Sequence, residues 1–217
     1  MGDGLTHPAT GSAGRRVDPP ATALTGWASV LRMPAPIGKF DEARPAIEVL
    51  DLLAPPVAAA LTGWQGEVPV EELIHVDSDP DKADTAVWAE TYGVTLEQSA
   101  NCVVVAGKRG QDVTLAACVV LATTRADVNG LVRRHIGARK ASFAPMDTAV
   151  GASDMEYGGI TPIGLPPGWP LLVDAAVADS PYVVIGSGRR RGKLLVPGKA
   201  LAGLPGAVVL EGLGLPV

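Results

Sequence analysis

Residues 99–122 read SANCVVVAGKRGQDVTLAACVVLA. Two valine-rich runs, 99–106 and 112–122, flank the short link Gly107-Lys108-Arg109-Gly110-Gln111, and that pattern predicts a β-hairpin. With the turn centred near Arg109, Asn101 lies opposite about Ala117, among small neighbours such as Ser99 and Thr114. An asparagine with room around it in a strand points to a pocket; on a sheet edge the same residue simply faces water. Strand alternation puts Cys102 on the opposite face from Asn101, which makes it a poor nucleophile for that pocket.

Upstream of the hairpin, 71–77 reads as a strand. Asp79-Pro80 then caps and opens a helix that carries Asp81, Asp84 and Thr85 in its first turns and stops at Gly93. Ile47, Leu50, Leu53, Val57 and Leu61 recur at helical spacing, interrupted by Pro55-Pro56, so two short helices are expected there. Residues 1–24 are rich in Gly, Pro, Ala, Ser and Thr, which suits a flexible leader. Residues 25–70 are expected to form a helical extension packed on a core domain of residues 71–217.

Downstream, Ala126-Asp127 opens a helix with Val128, Leu131, Val132 and Ile136 on one face and Gly137 as its left-handed cap. A helical turn is expected after Pro145. Strands are expected over 171–175, 182–185, 193–196 and 207–211. The elements lack regular βαβ alternation, so the expected fold is α+β, with a mixed, curved sheet flanked by helices.

The chain of 217 residues is 47% hydrophobic, with mean hydropathy +0.24, enough for one sizeable core. No apolar run reaches membrane-spanning length and the first residues lack signal-peptide order, so a cytoplasmic location without membrane partners is expected. Cys102 and Cys118 are too few for a disulfide framework, and His7, His75 and His135 are scattered, so no metal site or histidine triad is expected. The charge of −5 is uneven: residues 1–100 hold 6 Lys/Arg and 15 Asp/Glu, whereas 101–217 hold 12 and 8. Contact with a polyanion therefore belongs to the second part, where Arg133, Arg134, Arg139 and Lys140 and then Arg189, Arg190, Arg191 and Lys193 cluster. Solvated surface charge is the plainer account of the same residues.

The segment 155–166, MEYGGITPIGLP, is too dense in glycine and proline for helix or strand. Glycine bares the backbone N–H and C=O groups, so such a loop suits recognition through the main chain. Asp174 sits inside the apolar run Leu172-Val173-Asp174-Ala175, and a buried carboxylate there must be paired, either anchoring the loop or meeting a substrate amine.

Together, Asp79-Pro80 with Thr85, the hairpin, Gly137-Ala138-Arg139-Lys140, the glycine loop, Val173-Asp174-Ala175 and Gly186-Ser187-Gly188 resemble the YbaK/ProX type of aminoacyl-tRNA editing domain, also found in bacterial prolyl-tRNA synthetases. The resemblance spans about residues 72–209 and implies a β-barrel-like sheet flanked by helices. The implied activity is a free-standing hydrolase that cleaves the ester of mischarged aminoacyl-tRNA. It implies no cofactor; its partners would be the acceptor end of aminoacyl-tRNA and, as a candidate, an aminoacyl-tRNA synthetase. The family's G-x-x-x-P loop corresponds to Gly158, Gly159, Ile160, Thr161 and Pro162, followed by Gly164. These residues, with Asp174, Ser187 and Gly188, would surround the substrate, and Arg189, Arg190, Arg191 and Lys193 would contact tRNA. Gly158, Gly159 and Asn101 would stand at the reacting ester. Where the family carries a lysine near the start of the hairpin, this chain has Asn101, a neutral donor and acceptor. A second reading is therefore a module that binds aminoacyl-tRNA or another adenosine-bearing ligand without hydrolysis.

Overall fold

The computed structural model describes residues 34–82 and 85–217, so the expected 1–24 leader and the first-turn role of Asp84 lie outside the described residues. The first strand, β1 (Ala43–Pro45), leads through two single 3-10 turns into helix α1 (Pro55–Thr62). Only one of the two expected helices forms. Pro55-Pro56 opens it, because a missing N–H is harmless in a first turn. Val57 and Leu61, one helical turn apart, are fully buried in the central apolar cluster.

Strand β2 (Ile74–Val76) is shorter than expected, since a 3-10 turn occupies Val70–Glu72. Asp79 does act as a local cap, its carboxylate accepting from Asp81 N–H at 2.9 Å, and helix α2 (Thr85–Tyr92) ends at Gly93, whose φ is 64°.

The hairpin forms from β3 (Ala100–Arg109) and β4 (Asp112–Leu121), but its register differs from expectation. The turn is Gly110-Gln111, so Asn101 faces Val120 rather than Ala117. Gly107 stays within the strand because Ile136 and Ala138 occupy the space a side chain would need. Gly110, at φ 67°, takes the left-handed position instead.

Beyond the hairpin come β5 (Thr124–Ala126), α3 (Arg133–His135) and β6 (Lys140–Phe143). A single π-helical turn, Val128–Val132, precedes α3, and Asp127 caps it by accepting from Gly130 and Leu131 N–H. Helix α4 (Met146–Ser153) delivers the chain to the glycine loop. The rest comprises β7 (Leu171–Asp174), α5 (Ala175–Ala178), β8 (Val183–Gly186), β9 (Lys193–Val196), α6 (Gly198–Ala202), β10 (Ala207–Leu210) and β11 (Gly214–Pro216).

The fold is α+β, built on sheets of order β10-β7-β4-β3-β6, β1-β2-β9-β8 and β11-β5. The five-stranded sheet is mixed, since β7 runs parallel to β4 and β10 while β3 is antiparallel to β4 and β6. No closed barrel forms among the described residues. Among the described residues, the backbones of the two larger sheets are joined at an isolated bridge between Ser99 and Val184. Their apolar faces, including Val119, Val173, Ile185, Leu194 and Val196, share the main core with α1.

Candidate active site

Incomplete closure leaves a cleft between the sheets. β6 covers β3 only over residues 105–108, and β8 is the outermost strand of its own sheet. The segment 100–103 of β3 and the end of β8 therefore face each other across a space of about 450 Å³. Ser99, Asn101, Cys102 and Val103 line one side, Val184, Ile185 and Gly186 the other, and Thr85, Trp88, Gly158, Ile160, Tyr157, Arg190 and Lys193 complete the wall.

Cys102 lines the cleft beside Asn101, against expectation, because the cleft approaches β3 along its edge and not across one face. Its thiol is nonetheless pushed well above the ordinary cysteine range by burial and by neighbouring Cys118, so it is no nucleophile at neutral pH. Asn101 Oδ1 accepts from Thr85 Oγ1 at 3.2 Å, which ties the hairpin to the start of α2.

The glycine loop is bonded to the turn between β8 and β9 through the main chain. Glu156 N–H donates to Gly188 C=O, and Gly188 N–H to Gly159 C=O, both at 2.8 Å. A side chain at Gly159 would run into the Arg189 carbonyl, and one at Gly186 into Gly159 C=O. Both glycines are therefore required by close backbone packing. Gly159 N–H is used within the loop, donating to Glu156 C=O at 3.0 Å. The N–H groups of Gly158 and Ile160, both in the cleft wall, have no acceptor among the described residues.

Lys193 is the main surprise. Read from the sequence it belongs with the surface arginines, yet it is only 8% exposed, and its Nζ donates to Gly158 C=O at 3.0 Å. Burial, and then the nearby Arg190 guanidinium, lower its pKa to about 8. The three arginines bind parts of the chain around the turn. Arg189 Nε donates to Leu53 C=O at 2.9 Å, Arg190 Nε to Pro80 C=O at 3.0 Å, and Arg191 grips the Asp77 carboxylate with two bonds of 2.7 and 2.6 Å. That pairing holds the Asp77 carboxyl below its usual range.

Other expected site residues lie elsewhere. Ser187 is buried, and its hydroxyl bonds the turn's carbonyls, including Gly192 C=O at 3.1 Å. Gly188 lines a different, shallow hollow with Ala54 and Glu156. Thr161 is fully buried, while Pro162 and Gly164 line a separate apolar groove with Trp64 and Trp169. Asp174 meets neither loop nor cleft: its carboxylate caps α5 through Ala176 N–H at 2.9 Å and accepts from Gly214 N–H. His75 is buried under Gly192, and desolvation lowers its pKa to about 4, so it is neutral. Among the described residues no cluster of acidic, histidine or cysteine side chains is arranged to hold a metal ion.

The sequence profile of the aminoacyl-tRNA editing domain matches residues 79–204, more than half of the chain. The chain belongs to this family. The editing domain also has solved structural relatives. One, a candidate trans-editing enzyme for prolyl tRNA synthetase, is 22% identical, with TM-score 0.60 over 73% of this chain and 94% of the relative. A hypothetical protein at 22% identity gives TM-score 0.59 over 66% and 91%. A scaffold protein from epitope grafting by computational design, also 22% identical, gives 0.61 over 73% and 95%. At this identity the likeness is one of fold. No curated protein sequence matches the chain. Within this editing domain every residue lining the cleft falls inside the matched span, and no described helix is long and apolar enough to cross a membrane.

Sequence reasoning missed Lys193, Trp88, Thr85, Tyr157 and Gly186 as cleft residues. For Lys193 a signal existed: a lysine opening the apolar run Lys193-Leu194-Leu195-Val196 is as anomalous as Asp174 in its strand.

Proposed function

We propose that this editing domain is a free-standing hydrolase that cleaves the ester joining a wrongly attached amino acid to tRNA. The observation that carries the reading is the convergence of two unpaired backbone donors, Gly158 and Ile160 N–H, with Asn101 and Lys193 around one cleft. An aminoacyl ester is already activated. Holding its carbonyl against fixed donors while a water attacks supplies much of the acceleration, each well-placed donor being worth roughly 3 kcal/mol. The water forms the new C–O bond and the carbonyl electrons move onto oxygen; collapse then breaks the bond to the ribose oxygen, which takes up the proton the water gives up and leaves as the hydroxyl. In this reading Gly159 does not touch the ester but sets the loop's position.

One feature supports the second reading, a binding module without hydrolysis: no Asp, Glu or His among the described residues lines the cleft to take the water's proton. Deacylation of a panel of mischarged tRNAs by wild type, Gly159→Ala and Asn101→Lys decides between them. The hydrolase reading expects turnover by wild type and at least a tenfold loss in Gly159→Ala. Binding of charged tRNA with no hydrolysis of any member of the panel establishes the module.

A further inference from the structure

We propose that Lys193 makes the inner wall of the cleft an anion-binding subsite, which takes an anionic oxygen of the substrate from either its terminal phosphodiester or the scissile ester as that carbonyl gains charge. The proposal rests on the reading that this cleft receives the acceptor end. Lys193 enters from β9, held between β2 and β8 through its pairings with Val76 and Gly186, so its backbone is fixed on both sides. Its ammonium has three donors and uses one, on Gly158 C=O. No carboxylate among the described residues pairs with it.

A buried charge without a counter-ion is unfavourable, and apolar residues of similar volume usually serve a core position as well or better. The neighbouring groups are unbalanced in the same sense. Trp88, 1% exposed and lining the cleft, has its indole Nε1–H buried with no acceptor. Asn101 has its oxygen occupied by the Thr85 hydroxyl, which leaves its amide N–H₂ as the free end. Arg190 adds a second positive charge at the rim. The unmatched side-chain nitrogens of this wall, on Lys193, Trp88 and Asn101, are all donors, and a component that completes them carries acceptors and negative charge. A substrate's α-ammonium finds no counter-charge in this wall and is directed away from it.

The test has two arms. In the first, adenosine 5′-monophosphate is titrated into wild type, Lys193→Met and the exposed-lysine control Lys108→Met by calorimetry. In the second, steady-state hydrolysis by the same proteins is compared on aminoacyl-tRNA and on an aminoacyl-adenosine ester lacking phosphate. Lys193→Gln, which keeps a donor for Gly158 C=O without the charge, stands in if Lys193→Met fails to fold.

Capture of the phosphodiester predicts nucleotide binding at least tenfold weaker in the Lys193 variant, a raised KM on tRNA and unchanged kinetics on the ester. Capture of the ester oxygen predicts a similar fall in kcat on both substrates, whatever the nucleotide result. The proposal is overturned if the nucleotide binds wild type and variant equally, or binds neither, and kinetics on both substrates are unchanged. Should wild type hydrolyse nothing, the hydrolase reading fails and the nucleotide titration alone decides: weaker binding in the variant upholds the subsite, and equal or absent binding overturns it.

Discussion

Replacing Lys193 by methionine should change the pH dependence of stability in a direction opposite to that of most ion-paired groups. The folded chain holds this amine at a pKa of about 8, against 10.5 for an ordinary lysine. Below pH 8 the amine is charged whether the chain is folded or not, and its burial opposes folding in full. Between pH 8 and 10.5 the unfolded chain binds the proton and the folded chain does not, so folding becomes easier as pH rises. A shift from 10.5 to about 8 corresponds to about 3 kcal/mol at neutral pH, at 1.36 kcal/mol per pH unit. Relative to Lys193→Met, wild type should gain roughly 1 kcal/mol between pH 7 and 9, and roughly 2–3 kcal/mol by pH 10. The assay is urea denaturation of both proteins at pH 7, 8, 9 and 10. Other titrating groups, such as Tyr182, occur in both chains and cancel in the difference, as do the lost bond to Gly158 C=O and the altered packing, which do not depend on pH. A difference curve that is flat or falls with pH refutes the burial of an unpaired ammonium.

Gly159→Ala should lower stability by about 2 kcal/mol, because its Cβ meets the Arg189 backbone, which cannot swing aside; an unchanged urea midpoint contradicts that packing. Asp174→Ala removes the cap of α5 and the bond to Gly214 N–H, and should cost about 1–2 kcal/mol by thermal melting while kcat on any hydrolysed substrate stays within twofold. A large loss of kcat with intact folding restores Asp174 to the substrate site. Arg191→Ala breaks an exposed, solvent-screened pair with Asp77 and should leave the urea midpoint nearly unchanged; a large drop contradicts that exposure. Cys102 should resist iodoacetamide at pH 8 in the folded protein and react on unfolding, as followed by mass spectrometry, since burial raises its thiol pKa.

Much of the fold was legible in the sequence because local signals and tertiary structure agree. The hairpin, the Asp127 cap, the Gly93 and Gly137 helix ends and all four of the later strands lie close to where pattern and turn chemistry place them. The short strands β1, β5, β6 and β11 were not legible, since they lack the apolar runs that mark β7 to β10 and are held by a partner distant in sequence. The hairpin register slipped because Gly107 looked like part of the turn, when the packing of Ile136 and Ala138 makes it a strand glycine.

The candidate site divides in the same way. By itself the sequence determined that the segment 155–166 is a glycine- and proline-rich loop and that the chain is an α+β protein of the editing type. Those properties follow from glycine and proline content, apolar periodicity and motif order, all local along the chain. Only the tertiary structure decided which side chains meet in the cleft. It sent Asp174 to a helix cap, bound Arg189, Arg190 and Arg191 to segments distant in sequence, and turned Lys193 inward from the end of a basic run. A charged side chain at a strand end can face water or the core with the same neighbours in sequence. Its direction is fixed by the strands on either side, and for Lys193 these are β2 and β8, which lead it to the Gly158 carbonyl.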